Sequence, residues 1–306
     1  MNKEGVGLSL IRVKVPATTT NLGSGFDCLG LALDIYNIIE LDENAERLHI
    51  CVPEEQKNEI PQLENNLVYV AMKKVFDRVG YSVKGLRINL INNIPMTRGL
   101  GSSAACIVGG LTAANELVGR LLSRSEITKM AVEMDGHPDN VLPALEGGMV
   151  IACLDDGRVV NFQFDPPENI KFALIIPDFH LPTKEARKVI PETITVKDAV
   201  FNISRTALVT ASFLTGNLDK LYVAMQDRIH QPYRKALIPN WDDITSQAMA
   251  LGAKGVFLSG AGPTIVAVLD QDYQKFQQEM QQLVNGLDGG WTVKIANICR
   301  KGVQLL

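Results

Sequence analysis

A glycine-rich loop between a predicted strand and a long predicted helix is the feature that most constrains the fold. The loop occupies residues 95–101, and a helix predicted at 102–118 follows directly, with Ser102 and Ser103 as its expected caps. Glycines let backbone amides turn inward, and the free amides and positive dipole end of a first helical turn attract anions. Serine hydroxyls can also ligate Mg²⁺. The segment therefore predicts a phosphate-binding site.

Strands and helices alternate in the rest of the first half of the chain. An alternating segment at residues 8–15 predicts a strand that is ended by Pro16. The other elements predicted in this half are strands at 34–41 and 86–91, a helix at 66–79, and a helix opened by a capping box at 123–126.

A shift in composition at Asp165-Pro166-Pro167 predicts a domain boundary, and 306 residues are enough for two domains, 1–165 and 166–306. Beyond the boundary, the predicted elements are strands at 172–176, 256–259, 265–269 and 291–296, helices between 195 and 251, and a helix at 273–285. With the first helices taken as one crossover, the order is β-α-β-β-α-β, which is typical of a ferredoxin-like domain.

Charge and composition exclude several classes of partner. The net charge is −4 and no run of Lys and Arg exceeds a pair, so we expect no nucleic acid partner. No stretch approaches the ~20 apolar residues of a membrane helix, and the first residues lack a signal-peptide pattern, so we expect no membrane association. Five scattered cysteines without C-x-x-C spacing predict free thiols and a cytoplasmic protein.

Three more segments carry residue types suited to binding or catalysis. Residues 21–30 place polar groups among glycines, and residues 259–264 form a turn with almost no side chains. Residues 133–140 include Glu133, Asp135, His137 and Asp139. Carboxylates near a phosphate loop can hold Mg²⁺ or orient an attacking hydroxyl. Each segment alone is compatible with an ordinary turn, and a single histidine with a structural role. Their combination favours one composite site.

Other chemistries fit the sequence less well. The Walker A pattern is absent. Residues 99–104 match the relaxed dinucleotide pattern G-x-G-x-x-A, but the acidic residue expected about 20 positions later is missing, which disfavours an NAD-dependent oxidoreductase. Four histidines without an H-E-x-x-H motif argue against zinc, and the absence of G-x-S-x-G argues against a serine hydrolase.

Together these segments resemble the GHMP kinase superfamily, which includes galactokinase, homoserine kinase, mevalonate kinase and phosphomevalonate kinase. Residues 95–105 look like its ATP-phosphate loop and residues 259–264 like its C-terminal glycine motif. Over nearly the full length the chain is most similar to the homoserine kinases, through residues 21–30, 136–140, 183–191 and 232–234. Two positions depart from that pattern: Ser24 replaces a proline, and Asp135 replaces the glutamate before Gly-His-Pro-Asp-Asn.

The resemblance implies a fold and a reaction. The fold is α+β, with an N-terminal ribosomal-protein-S5-like α/β domain that binds ATP and a C-terminal ferredoxin-like domain. The reaction is phosphoryl transfer from ATP, with Mg²⁺, to the hydroxyl of L-homoserine, which gives O-phospho-L-homoserine in threonine biosynthesis. A homodimer is the default expectation for such an enzyme.

The resemblance also implies roles for individual residues. The ATP phosphates are expected at Pro95, Arg98, Gly99, Leu100, Gly101, Ser102, Ser103, Ala104 and Ala105. The amino acid is expected at Asn21, Asp27, His137, Asn140, Thr183, Arg187, Arg234, Gly260 and Gly262. Mg²⁺ is expected at Ser103 with either Glu133 or Asp135. Asp139 is the expected catalytic residue, which hydrogen-bonds the homoserine hydroxyl or acts as a base.

The chemistry of an amino acid substrate agrees with part of this set. A carboxylate favours a bidentate arginine, for which Arg187 and Arg234 are candidates, while Asp27 and Asn21 supply acceptors for an ammonium. Two alternatives remain open beside the homoserine kinases: another GHMP kinase that acts on mevalonate or a sugar, and a non-catalytic ATP-binding sensor on the same fold. A sugar has no carboxylate and mevalonate has no ammonium, so the arginines and Asp27 discriminate between them.

Overall fold

The computed structural model describes residues 10–43 and 45–306, which form two β-sheets and ten α-helices. The strands are β1 (Ile11–Thr20), β2 (Leu29–Asp42), β3 (His49–Cys51), β4 (Arg87–Asn92), β5 (Met149–Asp155), β6 (Arg158–Phe164), β7 (Lys171–Ile176), β8 (Gly255–Leu258), β9 (Ile265–Leu269), β10 (Thr292–Asn297) and β11 (Gln304–Leu305). The helices are α1 (Leu67–Val79), α2 (Ser102–Leu117), α3 (Arg124–Asp135), α4 (Pro138–Glu146), α5 (Thr183–Lys188), α6 (Val196–Thr215), α7 (Leu221–Ala224), α8 (Gln231–Arg234), α9 (Trp241–Ala250) and α10 (Tyr273–Val284). None of the helices in these two described ranges combines the length and apolar character that crossing a membrane requires.

The first sheet has seven strands and is built almost entirely from the first half of the chain. Its order is β11-β1-β2-β4-β3, and β5 extends it by pairing with both β2 and β6. Helices α1 to α4 pack with this sheet around one apolar core, in which α2 is covered by α1. Burial of α2 explains its composition, because a helix with neighbours on several sides needs apolar residues around most of its surface.

The second sheet has four antiparallel strands in the order β10-β7-β9-β8. Counted within this unit, the spatial order of strands is 4-1-3-2, and the chain order is β-α-β-β-α-β. The predicted ferredoxin-like arrangement is therefore confirmed, together with the α+β class of the two-part fold. Helices α9 and α10 cover one face of this sheet with a second apolar core.

The predicted domain boundary falls between β6, which ends at Phe164, and β7, which begins at Lys171. The chain returns to the first sheet at its end, since Val13 of β1 pairs with Leu305 of β11. The division into 1–165 and 166–306 therefore stays a prediction, with β11 as a strand that pairs across it.

Two local predictions were wrong. Pro16 does not end the first strand: β1 continues to Thr20, and the pairing with β2 shifts register between Pro16 and Ala17. Such an irregularity tolerates a residue that has no N–H to donate. Leu10 lies outside the strand, and residues 8 and 9 of that prediction lie outside the described residues. Ser102 and Ser103 do not cap α2, because its N-cap is Gly101 in the left-handed conformation and no side chain caps the helix.

Helices whose ends are specified locally match their predictions closely. The side chain of Asn66 caps α1 by accepting from the Val68 amide, and Gly80 ends the helix in the left-handed conformation. The capping box of Ser123 and Glu126 opens α3, with both of its hydrogen bonds present. Helix α3 packs against α2 and α4, and Asp135 is its last residue.

Candidate active site

A cavity of about 500 Å³ lies where the first turn of α2 faces the second half of the chain. Its walls include the loop after β1, the start of α4, helix α5 and the turn after β8. The predicted site residues that line it are Asn21, Asp27, Gly99, Leu100, Gly101, Ser102, Ser103, Ala104, Asp135, His137, Asp139, Asn140, Thr183, Arg187, Arg234 and Gly260. The fold thus brings together segments up to about 240 positions apart in sequence.

The loop before α2 is held in place by close backbone packing. Gly101 has φ +68°, and a Cβ there would collide with the hydroxyl of Thr18. Gly99 has φ +74°, and a Cβ there would collide with the carbonyl oxygen of Ser259 in the turn after β8. The hydroxyl of Ser259 donates to the Gly99 carbonyl at 2.6 Å. Only glycine meets both demands at these positions, since it adopts positive φ and adds no atoms.

The first turn of α2 directs free amides at the cavity. The Ala105 amide donates to the Gly101 carbonyl at 2.9 Å, so the amides of Ser102, Ser103 and Ala104 have no partner within the helix. Ala105, although predicted to contact phosphate, has no free amide and does not line the cavity. A helix of 16 residues with unpaired N-terminal amides is a favourable anion site.

Arg98 does not face the cavity. Its guanidinium donates to the carbonyls of Pro177, Met96 and Asp178 at 2.8, 3.0 and 3.1 Å, and pairs with the Asp178 carboxylate at 3.3 Å. The structure therefore gives Arg98 the role of fastening the loop to the segment after β7. Pro95 is the first residue of the loop, has no N–H, and is also absent from the cavity wall.

Asp139 is the most deeply buried carboxylate of the cavity, with 3% of its surface exposed. It lies in the first turn of α4. Burial raises the pKa of the Asp139 carboxyl to about 7, and the negative charges of Asp27 and Asp135 act in the same direction. A hydrogen bond from Thr20 and the positive charge of Arg187 oppose this increase. A carboxylate that is near its pKa at neutral pH suits proton transfer.

Asp27 and Arg187, which both line the cavity, form a bidentate ion pair. The two guanidinium nitrogens of Arg187 donate to the two carboxylate oxygens of Asp27 at 2.9 and 3.1 Å. His137, the N-cap residue of α4, places Nε2 3.8 Å from the same carboxylate. Asp27 itself has φ +54°, and its amide donates to the side chain of Asn21. The pair offers one negative and one positive group to a zwitterionic ligand.

Arg234 enters the cavity from α8 and is almost fully buried. Burial lowers the pKa of its guanidinium to about 10, and repulsion from Arg187 acts in the same direction. The Arg234 guanidinium lies 5.3 Å from the centre of the Phe26 ring, on which Arg187 also lies at 5.7 Å. The two arginines thus contact the same aromatic ring, an arrangement that suits anion recognition.

The remaining predicted substrate residues position the loops. Asn21 donates to the Gly260 carbonyl at 2.9 Å, and Asn140 accepts from Thr18 at 2.7 Å. Thr183 begins α5, the helix that carries Arg187. Gly262 does not line the cavity; its amide closes the turn by donating to Ser259.

Comparisons with known proteins identify the family of this chain. The family model described as "GHMP kinases N terminal domain" matches residues 66–148, and "GHMP kinases C terminal" matches residues 209–285. A homoserine kinase of Petrotoga mobilis is 51% identical over 97% of this chain and 97% of its own length, and one of Caldicellulosiruptor saccharolyticus is 52% identical over 97% and 96%. The chain belongs to the homoserine kinases of the GHMP kinase family.

Solved structures of GHMP kinases show the same fold. A homoserine kinase from Cytophaga hutchinsonii superposes with a TM-score of 0.88 at 29% identity, and covers 100% of both chains. A mevalonate kinase from Methanococcus jannaschii superposes with a TM-score of 0.70 at 18% identity, over 96% of this chain and 99% of its own. The second match supports the shared fold alone.

The predicted Mg²⁺ ligands of this GHMP kinase divide into two groups. Ser103 and Asp135 line the cavity, and burial raises the pKa of the Asp135 carboxyl to about 6, against the effect of Arg187. Glu133 is half-exposed beside Lys129 and does not line the cavity. Residues 10–43 and 45–306 contain no cluster of three or more His, Cys, Asp or Glu suited to a metal. One hydroxyl and one carboxylate fit Mg²⁺, which is usually held by few protein groups plus phosphate and water.

Two features of the GHMP kinase site were missed by the sequence reasoning: three hydroxyl residues of which only Thr20 lines the cavity, and one end of the cavity itself. The consecutive hydroxyls of Thr18, Thr19 and Thr20 at the end of β1 contact Asn140, Ser259 and Asp139 respectively. Three β-branched hydroxyl residues at the buried end of a strand were the available signal. The other feature is an apolar end of the cavity, lined by Ile60, Pro61, Leu67, Val68, Leu90 and Met96. Nothing in the local sequence connects these residues.

Proposed function

We propose that this protein transfers the γ-phosphoryl group of ATP to the hydroxyl of L-homoserine, the reaction of the homoserine kinases to which it belongs. The observation that carries the proposal is one cavity that joins three groups: the free amides of α2, the buried Asp139, and the Asp27–Arg187 pair. The amides suit a phosphate donor, Asp139 suits a hydroxyl, and the Asp27–Arg187 pair suits the charged groups of an amino acid.

The amides of Ser102, Ser103 and Ala104 would receive the ATP phosphates, and their fixed orientation stabilises negative charge without reorganisation. Ser103 and Asp135 would hold Mg²⁺, which when bound supplies positive charge to the phosphates. No lysine lines the cavity among the described residues, and its two arginines, Arg187 and Arg234, are assigned to the amino acid carboxylate. Backbone dipoles are therefore the chain's own contribution to neutralising the phosphates. The apolar end beside Leu67 and Met96 is the natural position for the base of ATP.

Asp139 would accept a hydrogen bond from the homoserine hydroxyl and take its proton as the phosphoryl group is transferred. Its pKa of about 7 makes the carboxylate a competent acceptor at neutral pH. Thr20 holds the carboxylate in place through its hydroxyl. Since the transition state of phosphoryl transfer is loose, correct positioning of the hydroxyl contributes as much as its deprotonation.

The charged groups of the amino acid would replace the direct contact between Asp27 and Arg187. Its ammonium would take the place of the guanidinium beside Asp27, and its carboxylate would bind Arg187 and Arg234. A ligand with only one of the two charges leaves either Asp27 or the arginines without compensation. This exchange favours a zwitterion over mevalonate or a sugar.

The proposal includes a place in threonine biosynthesis, a homodimer and a cytoplasmic location. The five cysteines are all free thiols, which supports a reducing compartment. Size-exclusion chromatography with light scattering of the purified chain measures the oligomeric state directly.

The deciding experiment is a coupled assay of ADP release with Mg²⁺ and ATP, which compares L-homoserine with mevalonate, galactose and shikimate. We expect turnover with L-homoserine alone. Turnover with another alcohol would keep the phosphate site and refute the roles of Asp27 and the arginines. Binding of ATP without any turnover would identify a sensor instead of an enzyme.

A further inference from the structure

His230 lies directly behind Arg234 and is fully buried. It is the residue before α8, the short helix that carries Arg234, and it does not line the cavity. No contact with ATP or substrate is therefore available to it. One of its ring nitrogens nevertheless contacts the guanidinium of Arg234.

The hydrogen bonds of His230 define its tautomer. Nη1 of Arg234 lies 3.2 Å from Nδ1 of His230. Since a guanidinium only donates, Nδ1 must be the unprotonated acceptor. The imidazole proton is then on Nε2, which donates to the carbonyl oxygen of Gly23 at 2.8 Å. A neutral ring that accepts at Nδ1 and donates at Nε2 satisfies both neighbours.

This contact fixes which part of Arg234 faces the ligand. Nε donates to the carbonyl of Ala186, and Nη1 donates to His230 and to the carbonyl of Gly260 at 3.0 Å. Among the described residues, none accepts a hydrogen bond from Nη2, while Arg234 lines the cavity. The guanidinium is thus held along one edge, and Nη2 remains available for the carboxylate of a substrate.

His230 is itself held through its ring and through its backbone. Phe26 stacks on it, with ring centres 5.0 Å apart and planes 21° apart. The buried Asp227 carboxylate accepts from the amides of Ile229, His230 and Gln231 and fixes the backbone that enters α8. Burial lowers the pKa of His230, which agrees with the neutral ring that its hydrogen bonds require.

We propose that His230 is a positioning residue for substrate binding, which holds the guanidinium of Arg234 through Nδ1 so that Nη2 meets the carboxylate of the amino acid. The same ring, through Nε2 and Phe26, links this arginine to the loop of residues 21–28, which carries Asp27. One buried side chain therefore connects the carboxylate-binding and ammonium-binding sides of the site. The inference rests on the proposed function, since it assigns Arg234 to an amino acid substrate.

Two conservative variants separate the two hydrogen bonds. In His230→Asn, the amide oxygen reaches the position of Nδ1 and still accepts from Arg234, but the donor to Gly23 is lost. In His230→Gln, the amide reaches the position of Nε2 and still donates to Gly23, but the acceptor for Arg234 is lost. We expect H230Q to raise the KM for L-homoserine about tenfold or more, and H230N to raise it much less. The KM for ATP should change little in either variant.

A control variant distinguishes positioning from simple loss of stability. Phe213 is buried in the same half of the chain, where it stacks with Phe172 at 6.2 Å, and does not line the cavity. Phe213→Leu should lower Tm and leave the KM for L-homoserine unchanged. Equal KM increases in H230N and H230Q, or an increase in Phe213→Leu with a similar loss of Tm, would overturn the proposal.

The tautomer provides a test that needs no variant to fold and no substrate. The ¹⁵N chemical shifts of the His230 ring in the wild-type protein should show a protonated Nε2 and an unprotonated Nδ1 at pH 7.5. The opposite tautomer would overturn the proposal. Absence of wild-type turnover with L-homoserine would contradict the proposed function, whereas wild-type turnover with equal effects of the two variants contradicts only the role of His230.

Discussion

Stability and catalysis favour different protonation states of Asp139. Its burial and its neighbours Asp27 and Asp135 all favour the protonated form, and its pKa rises to about 7. The folded chain therefore binds this proton more tightly than the unfolded chain, whose aspartates titrate near 4. Between pH 4 and 7 the unfolded chain binds fewer protons, so the free energy of unfolding falls as pH rises. Above pH 7 the fold retains an ionised, poorly solvated carboxylate.

We expect Asp139→Asn to lower kcat by about 100-fold or more, because the acceptor for the homoserine proton is lost. The wild-type kcat/KM for L-homoserine should rise with pH and reach half of its plateau near pH 7, and the variant should lack this step. ATP binding, measured by calorimetry, should change little. Unchanged turnover in the variant would remove Asp139 from the reaction.

The same substitution should stabilise the fold above pH 7, by on the order of 4 kcal/mol as an upper bound. The difference in Tm between the variant and the wild type should grow from pH 4 to pH 7 and then remain constant. Asp155→Asn serves as the control, since Asp155 is exposed at the end of β5. A difference in Tm that is independent of pH would contradict burial as the cause of the raised pKa of Asp139.

At the scale of single residues, the sequence predicted more than half of the residues that line the cavity, but not the direction of every side chain. Glu133 and Asp135 are two positions apart on α3, and only Asp135 reaches the cavity. Residues two apart on a helix face different directions, so the local sequence leaves both open until the packing of α3 is known. Arg98 is oriented by the carbonyls of Pro177 and Asp178, some 80 positions away, which no local pattern contains.

Among the elements, the loop before α2 combines positive φ with close packing at Gly101. We expect Gly101→Ala to raise the KM for ATP about tenfold or more, because the new Cβ displaces Thr18 or the first turn of α2. The KM for L-homoserine should change less. Isothermal titration of both ligands into the variant separates the two effects.

The chain offers a matched control for this substitution. Gly119 has φ +79° after the end of α2, and a Cβ there meets nothing within 4 Å. Gly119→Ala introduces similar backbone strain without a collision, at a cost of roughly 1 to 2 kcal/mol in unfolding free energy. It should lower Tm modestly and leave ATP binding unchanged. If both variants weaken ATP binding equally, the collision at Gly101 is not what matters.

Helices and strands were predictable where residues close in sequence determine their ends. The caps of α1 and α3 involve residues at most a few positions apart, and both helices match. The end of β1 at Thr20 was missed, because its pairing with β2 and the shift of register after Pro16 are tertiary effects that override the local proline signal. The apolar end of the cavity likewise exists only in the folded chain, where Leu67 and Val68 of α1 and Leu90 of β4 line the same cavity.

At the scale of the whole molecule, the site depends on contacts between the two halves of the chain. Asn21 binds the Gly260 carbonyl, Thr19 binds Ser259, and Arg98 binds the segment after β7. These contacts set the distance between the free amides of α2 on one side and the arginines on the other. Phosphoryl transfer needs both reactants in line, so we expect the contacts to matter for catalysis as well as for stability.

Arg98 provides the clearest test of this coupling, because its two possible roles differ before any ligand is added. In a structural role, Arg98 connects the two halves by donating hydrogen bonds to three carbonyl oxygens, and its side chain is only 15% exposed. Arg98→Met should then lower the unfolding free energy of the ligand-free protein by about 2 kcal/mol or more. As a phosphate ligand, it would leave the ligand-free Tm unchanged and reduce only the gain in Tm on adding ATP.

The control for Arg98 is Arg120→Met, which removes an exposed arginine that follows α2 and pairs with Glu116, four positions earlier in the chain. Such a pair contributes at most about 0.5 kcal/mol, so its Tm should stay near that of the wild type. We expect Arg98→Met to lower the ligand-free Tm well below this control and to raise the KM of both ATP and L-homoserine, since the loop loses its attachment to the half that carries Arg187. A ligand-free Tm equal to that of the control would support a phosphate-binding role for Arg98, which is the role that the family resemblance implies.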